Sequence, residues 1–442
     1  MAEPSRRRGA PVLLKGGTVL DEHGERDADV LVSGTEIVAV EPGIEAPSRC
    51  QVIDAAGCVV APGLVDLHTH LREPGNEVAE TVESGSRAAS RGGYTAVVAM
   101  PNTSPAIDHP TVVRDVLQLG RRAGMCEVTV AGAITIGREG ERLAPLFDMA
   151  ELGVRIFTDD GSGVQDAGVM RRALEYAGEL GAVLAEHCEE EALAAGGHMH
   201  EGPWSSRLGI PGQPSLAEEA MVARDIELVR LTGSPMHFMH LSTAGSAELV
   251  RRAKAARLPI TAEAAPHHLC LTDAEVASYD PVFKVNPPLR SAADVEALTA
   301  AVGTGVIDAV ATDHAPHPAD QKERPFDDAP PGMIGLETAL SVVNTYLGRL
   351  LSLLELFSLF SWRPARIARL DGHSGGRQGG PLEKGRPANI VVFDAGAPYV
   401  VEVSAMASKS ANSPFAGQKL RGTVRHTIYE GEPVVLDTVA QR

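Results

Sequence analysis

The stretch VDLHTHLREPG, residues 65–75, gives the strongest indication of both the fold and its chemistry. Side chains on a strand alternate between two faces, so His68 and His70 project to the same side. Both imidazoles can therefore reach one metal ion from a single strand edge. Arg72 continues the alternation, which predicts a guanidinium beside the metal and suited to a carboxylate. A single pair of histidines is weak evidence, so later positions in the chain must support it.

Eight short apolar runs recur along the central part of the chain, and most of them end in polar or ligand-type residues. Such Val-, Ile- and Ala-rich runs are typical of strands buried on both faces of a parallel sheet. Eight strands that alternate with helices predict a (β/α)8 barrel of the TIM type, with an open doubly wound sheet as the alternative. The runs are 65–70, 95–102, 128–134, 154–160, 182–188, 236–242, 259–268 and 306–317.

Helix-like stretches lie between these runs. The last two, 215–233 and 245–257, begin with small or capping residues and show apolar positions at three- and four-residue spacing, which favours helices there. The stretches are 81–92, 109–124, 167–181, 215–233 and 245–257.

The two ends of the chain have a different pattern from the barrel region at 61–370. Residues 12–60 and 386–440 consist of short strand-like segments that glycines interrupt. Neither end contains enough apolar residues for a core of its own. We therefore expect both ends to pair into one small β domain that flanks the barrel.

Possible metal ligands accumulate at the ends of five of the predicted strands. The active site of a TIM-type barrel lies at the C-terminal ends of its strands. Four histidines and two carboxylates exceed the needs of one tetrahedral zinc and predict two divalent ions about 3.5–4 Å apart. Imidazole and carboxylate ligands without thiolate favour zinc. The candidates are His68, His70, one of Asp159 and Asp160, His187, His240 and Asp313.

Composition excludes several classes of partner and compartment. A net charge of −18 over 442 residues argues against nucleic acid as a partner, and the basic residues 6–8 are interpreted as a frayed tail. No stretch approaches the ~20 apolar residues of a membrane span, and the N-terminus lacks the apolar core of a signal peptide. The five cysteines are scattered without a CxxC pattern, which favours a reducing cytoplasm.

Several motifs together resemble the class I dihydroorotases of the amidohydrolase superfamily, over roughly residues 12–435. The combination of HLREPG, KVNPPLR and TDHAPH is specific, whereas the HxH pair and the late aspartate are shared across the superfamily. The resemblance implies a zinc-dependent cyclic amide hydrolase that reversibly closes N-carbamoyl-L-aspartate to L-dihydroorotate in pyrimidine (UMP) biosynthesis. The matching runs are 66–75, 100–103, 157–165, 185–189, 240–246, 266–268, 284–290 and 311–317.

The resemblance also implies roles for individual residues. Two zinc ions per chain are expected, with Asp160 as the bridge where many relatives have a carboxylated lysine, and with Asp313 as the group that moves the proton. The expected ligands are His68, His70, Asp160 and Asp313 for one ion, and Asp160, His187 and His240 for the other. The expected substrate contacts are His70, Arg72, Asn102, Asn286, His317, Pro331 and Gly332, the last two through their backbone. Residues 317–333 are expected to form a mobile loop over the site.

Two other interpretations stay open at this point. A hydantoinase, dihydropyrimidinase or allantoinase shares the zinc ligands, but such enzymes usually carry the lysine and lack a partner like Arg72. A non-catalytic relative that serves as an assembly scaffold is the second alternative. Family resemblance also suggests a homodimer and a possible association with aspartate carbamoyltransferase. The sequence leaves open the oligomeric state, the metal in the cell and the favoured direction of the reaction.

Overall fold

The computed structural model describes residues 10–442, and its first part contains seven short strands joined by turns. Most of them carry buried Val, Leu or Ile residues, as expected for strands with one face on a core. The basic residues 6–8, interpreted above as a frayed tail, lie outside the described residues. The strands are β1 (Val12–Lys15), β2 (Thr18–Asp21), β3 (Gly24–Asp27), β4 (Asp29–Ser33), β5 (Glu36–Glu41), β6 (Gln51–Asp54) and β7 (Val59–Pro62).

Eight parallel strands follow, and each coincides with one of the eight apolar runs. They form one sheet with the order β17-β16-β15-β12-β11-β10-β9-β8. A parallel bridge between Thr69 and His314 brings the two edges of this sheet together, so the barrel is nearly closed. The strands of this region, including the small ribbon β13–β14, are β8 (Leu64–Thr69), β9 (Tyr94–Ala99), β10 (Glu127–Gly132), β11 (Ile156–Phe157), β12 (Val183–Glu186), β13 (Met199–His200), β14 (Gly212–Gln213), β15 (Met236–Phe238), β16 (Ile260–Ala264) and β17 (Ala309–Val310).

Helices cover the outside of the barrel, and side-chain caps set where several of them begin. Thr81 and Ser84 form a capping box at the start of the first helix, and Thr243 caps a later one. All five helices predicted from the sequence are present. The helices are α1 (Val82–Arg91), α2 (Pro110–Ala123), α3 (Leu146–Ala150), α4 (Ala167–Glu179), α5 (Glu191–Ala194), α6 (Pro203–Leu208), α7 (Leu216–Thr232), α8 (Ala244–Ala255), α9 (Ala292–Gly303), α10 (Ala319–Lys322), α11 (Ala339–Leu347), α12 (Leu353–Phe360) and α13 (Trp362–Ile367).

Alternate residues of the barrel strands enter two different cores. Val97 of β9 and Val130 of β10 pack in a large cluster with the surrounding helices. Their neighbours Val98 and Ala131 belong to a separate cluster inside the barrel, which also contains Ala365 of α13. This alternation is the period-2 pattern of a strand, and it leaves inward positions for polar side chains near the strand ends.

The two ends of the chain share one β unit beside the barrel. β7 pairs antiparallel with the long C-terminal strand β18, so Pro62 lies opposite Ile390. Val12, Val30, Ile390 and Ile428 belong to one buried cluster, which confirms the prediction that neither end has a core of its own. The C-terminal strands are β18 (Ile390–Val400), β19 (Lys419–Tyr429), β20 (Glu432–Leu436) and β21 (Val439–Ala440).

The barrel with its flanking β unit confirms the predicted fold class. The predicted domain boundaries at 12–60, 61–370 and 386–440 stay predictions. Among residues 10–442, no helix combines the length and the apolar character needed to cross a membrane.

Candidate metal centre

The six predicted ligands lie where the barrel strands end. His68 is the second-last residue of β8, and the other five follow the ends of their strands by one to three residues. His70 is the most exposed of the six at 6%, so all of them are removed from solvent. Buried carboxylates and imidazoles in such number are stable only when they pair with each other or with a metal.

Two groups of three side chains have the geometry of metal sites. Each residue in them offers one ligand atom, and within each group these atoms lie within 4.8 Å of one another. Asp160 belongs to both groups, the position that a bridging carboxylate occupies. The first group consists of His68, His70 and Asp160. The second group consists of Asp160, His187 and His240.

The distances from Asp160 to the imidazoles fit a metal better than they fit hydrogen bonds, whereas Nδ1 of His187 and Nε2 of His240 lie within hydrogen-bond distance, 2.9 Å apart. Oδ1 of Asp160 lies 3.3 Å from Nε2 of His68, 3.7 Å from Nδ1 of His187 and 3.8 Å from Nε2 of His240. Ligands about 2.0–2.1 Å from a tetrahedral zinc are separated by ~3.3 Å. Nε2 of His68 is buried and has no hydrogen-bond partner. The donor set, nitrogen and carboxylate oxygen without thiolate, suits zinc.

Asp313 lies beside the first group of metal-binding side chains, whereas Asp159 points away from both groups. Asp159 accepts hydrogen bonds from the backbone of Ile134 and Thr135 and from the Thr135 hydroxyl, so it faces away from the clusters. Asp313 stands beside the first group, with Oδ1 3.2 Å from Nε2 of His70 and 3.6 Å from that of His68.

Three residues of the site have a left-handed backbone. The φ angles are 61° at Arg72, 30° at His240 and 45° at Asp313. Residues other than glycine rarely adopt this region, and such strain is concentrated at functional sites. β8 ends at Thr69, and its register against β9 shifts after Asp66. The prediction that Arg72 continues the strand alternation is therefore wrong, because a turn brings Arg72 to the cavity.

Neighbouring acceptors orient the two histidines of the first group. Nδ1 of His68 donates to Glu263 at 3.2 Å, and Nδ1 of His70 donates to Oδ1 of Asn102 at 2.9 Å. Each bond leaves the Nε2 lone pair free to face the metal position. Burial would raise the pKa of Glu263, but hydrogen bonds from His237 and His68 lower it to about 2, so the acceptor is ionised.

The two aspartates of the site are also held as anions. Burial alone would raise the pKa of Asp160, yet the charges of the neighbouring imidazoles, that of His68 first and then that of His70, hold it well below its usual range. The pKa of Asp313 is lowered as well, since its bond to His70 and the nearby imidazoles outweigh burial. Ionised carboxylates are the form that binds metal or accepts a proton.

A cavity of about 260 Å³ opens onto this cluster. Its lining includes every residue for which the sequence predicts a substrate contact and, besides His70, four more of the predicted ligands. Gly161, Val285 and Ala315 complete the lining. The predicted contacts that line it are His70, Arg72, Asn102, Asn286, His317, Pro331 and Gly332.

Arg72 provides positive charge in the wall of the cavity. Its Nε donates to the carbonyl of Pro316, and one terminal nitrogen lies 3.4 Å from Nε2 of His317. Among the described residues no carboxylate forms an ion pair with it. Burial lowers the pKa of Arg72 to about 10, so it is still a cation at neutral pH. A half-buried cation without an anionic partner in a cavity wall favours an anionic ligand.

Both predicted asparagines also touch the metal cluster. Nδ2 of Asn102 donates to Asp160 at 3.2 Å, and Nδ2 of Asn286 lies 3.3 Å from Nε2 of His187. Asn286 donates to Glu189 as well, at 2.8 Å. These side chains can therefore hold ligands in place as well as contact a bound molecule.

Sequence reasoning missed Glu263, His237 and Glu189. Glu263 is the one charged residue of β16, between two alanines, and a charge inside a buried strand was the signal that could have identified it. Glu189 follows His187 by two residues, and its Oε2 lies 3.7 Å from Nε2 of that ring. His237 bonds to Glu263 and lies outside both metal groups.

Two lysines anchor the loop that covers the cavity. Nζ of Lys322 donates to the carbonyls of Lys284, Pro330 and Gly332 at 3.0–3.3 Å. Nζ of Lys284 donates in turn to the carbonyls of Phe326 and Asp327. The structure therefore gives the predicted loop at 317–333 specific anchor points, and its mobility stays a prediction.

A nearly closed barrel with two His/Asp groups at the strand ends defines a metal-dependent hydrolase of the amidohydrolase type. A family model described as dihydro-orotase-like matches residues 57–246. Dihydroorotase from Streptomyces coelicolor is 47% identical over 429 residues, which is 96% of this chain and 98% of the relative. Dihydroorotase from Mycobacterium tuberculosis is 47% identical over 430 residues, with the same coverage. The chain belongs to the dihydroorotase family of cyclic amide hydrolases.

Solved structures of other cyclic amidases share the fold. L-hydantoinase from Arthrobacter aurescens superposes with a TM-score of 0.86 at 24% identity, over 98% of this chain and 97% of that one. D-hydantoinase from a Thermus species gives a TM-score of 0.80 at 25% identity, over 97% and 96% of the two chains. The higher identity to dihydroorotases places the chain with them, and both His/Asp groups, which a scaffold without activity is expected to lose, are present.

Proposed function

We propose that the protein closes N-carbamoyl-L-aspartate to L-dihydroorotate and opens the ring in the reverse direction, with two zinc ions per chain. The observation that carries the proposal is the half-buried cation of Arg72 in the same cavity as the two His/Asp groups. The substrate has a carboxylate that does not react beside an amide that does. The cavity offers the cation of Arg72 for the carboxylate and the two His/Asp groups for the amide.

The metal part of the proposal assigns each ligand. His68, His70 and Asp313 would hold one zinc, His187 and His240 the other, and Asp160 would bridge both. Zinc bound there would supply Lewis acidity toward the carbonyl under attack. Asn102 donates to Asp160 and Glu263 accepts from His68, so the protein restricts the directions in which these ligands point.

Asp313 is proposed to move the proton. In ring closure the ureido nitrogen attacks the carbon of the side-chain carboxylate, and Asp313 accepts the proton that this nitrogen loses. The new C–N bond replaces a C–O bond of the carboxylate, and that oxygen leaves as water with the proton that Asp313 returns and a second proton from solvent. In ring opening, Asp313 returns the proton to the ring nitrogen as the amide bond breaks and water adds to the carbonyl. The anionic state of Asp313 and its place in the cavity wall support this role.

The remaining lining groups are proposed to orient the substrate. The guanidinium of Arg72 binds the spectator carboxylate through two parallel hydrogen bonds, a geometry that lysine does not reproduce. Asn286 and His317, with the backbone of Pro331 and Gly332, fix the remainder of the ring. Burial lowers the pKa of His317 to about 3, so this imidazole is neutral and adds no second charge.

Assembly and location are proposed from the family. We propose a homodimer that also associates with aspartate carbamoyltransferase, whose product is the substrate named above. The mass of the purified protein in light scattering, alone and with that enzyme, tests both statements. The five cysteines are all free, which supports a cytoplasmic location.

Metal analysis with a ring-closure assay tests the core of the proposal. The expected result is two zinc ions per chain and loss of N-carbamoyl-L-aspartate with formation of L-dihydroorotate. Protein that carries two zinc ions and processes neither compound contradicts the proposed reaction. Active protein with one zinc ion contradicts only the metal count.

A further inference from the structure

A polar chain crosses the interior of the barrel next to the metal groups. It begins at the partly exposed hydroxyl of Thr261, 2.8 Å from Nδ1 of His237. Nε2 of His237 lies 3.0 Å from Oε2 of Glu263, whose Oε1 lies 3.2 Å from Nδ1 of His68. His237 and Glu263 are each 1% exposed, so water does not replace their partners.

Strand geometry explains why these groups meet. His237 of β15 and Thr261 of β16 stand opposite each other in the parallel pairing, on the same face of the sheet. Glu263 lies two residues further along β16, so it is also on that face. Its neighbours Ala262 and Ala264 pack outward against the helical layer.

Donor and acceptor chemistry then sets the direction of each bond. A carboxylate only accepts, so the nitrogens of His237 and His68 that face Glu263 both carry hydrogen. Nδ1 of a neutral His237 accepts from the Thr261 hydroxyl. Nε2 of a neutral His68 keeps its lone pair, and this buried nitrogen faces Asp160 at 3.3 Å without any hydrogen-bond partner.

We propose that Glu263, held by His237 and Thr261, is a positioning residue that fixes the tautomer and orientation of His68 for metal binding. The inference rests on the proposed metal site and adds three residues that support it. Oε1 of Glu263 also lies 3.4 Å from the backbone nitrogen of His240, so the same carboxylate touches a ligand of each metal group. Loss of such a partner lowers metal affinity by about 10- to 100-fold.

The test compares Glu263→Gln with Glu218→Gln. Glu218 is 2% exposed and its carboxylate accepts bonds from Ser242 and Thr243, so it is an equally buried glutamate that touches none of the proposed ligands. Zinc affinity is measured by competition with a chromophoric chelator. We expect E263Q to bind zinc about 10- to 100-fold more weakly than wild type and E218Q to match wild type.

A second readout separates positioning from general stability. With Co²⁺ as the probe, the visible absorption of the bound ion changes in E263Q and is retained in E218Q. Equal affinity and equal spectra for E263Q and wild type overturn the proposal. If E263Q does not fold, Thr261→Val takes its place in the same competition: a weaker zinc complex supports the polar chain, and unchanged affinity overturns it. Wild-type protein that binds no zinc instead contradicts the proposed metal site itself.

Discussion

Replacing Arg72 by methionine removes the guanidinium from the cavity and keeps a side chain that still fills space. The variant loses its contact with Pro316, which is a single bond to a carbonyl at 3.2 Å. Its main effect is on the substrate, since the spectator carboxylate then enters a cavity without its cation. We expect kcat/KM for L-dihydroorotate to fall sharply.

The structure sets the size of this effect. Arg72 is half-buried and has no protein carboxylate as partner among the described residues, and a substrate carboxylate bound to it in the cavity would complete a pair largely shielded from water. Breaking such a pair by removing one member costs about 3–5 kcal/mol. At about 1.36 kcal/mol for each factor of ten, kcat/KM falls about 150- to 5,000-fold. Arg72→Lys keeps the charge and loses one charged hydrogen bond of about 1.5–3 kcal/mol, so about 10- to 150-fold is expected.

Ring opening followed by ultraviolet absorbance measures both variants against wild type. Zinc content is determined on the same samples, because Arg72 lies beside His70 and a loss of metal must be separated from a loss of binding. We expect kcat/KM to decrease in the order wild type, R72K, R72M. An R72M enzyme with full zinc content and wild-type kcat/KM refutes the role given to this residue.

Three further expectations follow from the same site. Asp313→Asn should lower kcat by about 100- to 10,000-fold while zinc stays bound, and a near wild-type rate contradicts the proton role. Removing zinc with a chelator should lower Tm, and zinc at about 100 times its Kd should restore about 2.7 kcal/mol of stability for each site it fills; a Tm that does not respond contradicts the metal site. Burial lowers the pKa of Lys322 to about 7, whereas an unfolded lysine titrates near ~10.4. As the pH rises, the folded protein loses this proton before the unfolded chain does. The free energy of unfolding of the wild type, measured with urea, should therefore rise relative to that of Lys322→Met between about pH 7 and pH 10. Parallel pH profiles for the two proteins contradict this.

The apolar runs predicted the barrel strands because a parallel sheet buries both faces of each strand. The ligand positions followed from the same pattern, since His187 comes just after β12, whose interior is apolar, and His240 follows the end of β15 by two residues. Local sequence carries this information, and it was sufficient for the fold, whereas the substrate contacts in the cavity were predicted from the family resemblance.

Tertiary contacts account for what the sequence did not predict. Glu263 is 195 positions from the histidine it orients, and no spacing rule connects the two. The left-handed turn at Arg72 breaks a strand pattern that looked continuous, because β8 ends three residues earlier. The anchor of the loop by Lys322 likewise depends on carbonyls from two separate segments.

The comparison of L-dihydroorotate with dihydrouracil on the zinc-bound protein tests the central claim most directly. The two rings present the same amide, and only the first has the carboxylate that Arg72 is proposed to bind. The account predicts rapid opening of L-dihydroorotate and a kcat/KM for dihydrouracil that is lower by at least about 100-fold. Equal kcat/KM for the two rings contradicts the account, because the cavity then does not select for the carboxylate.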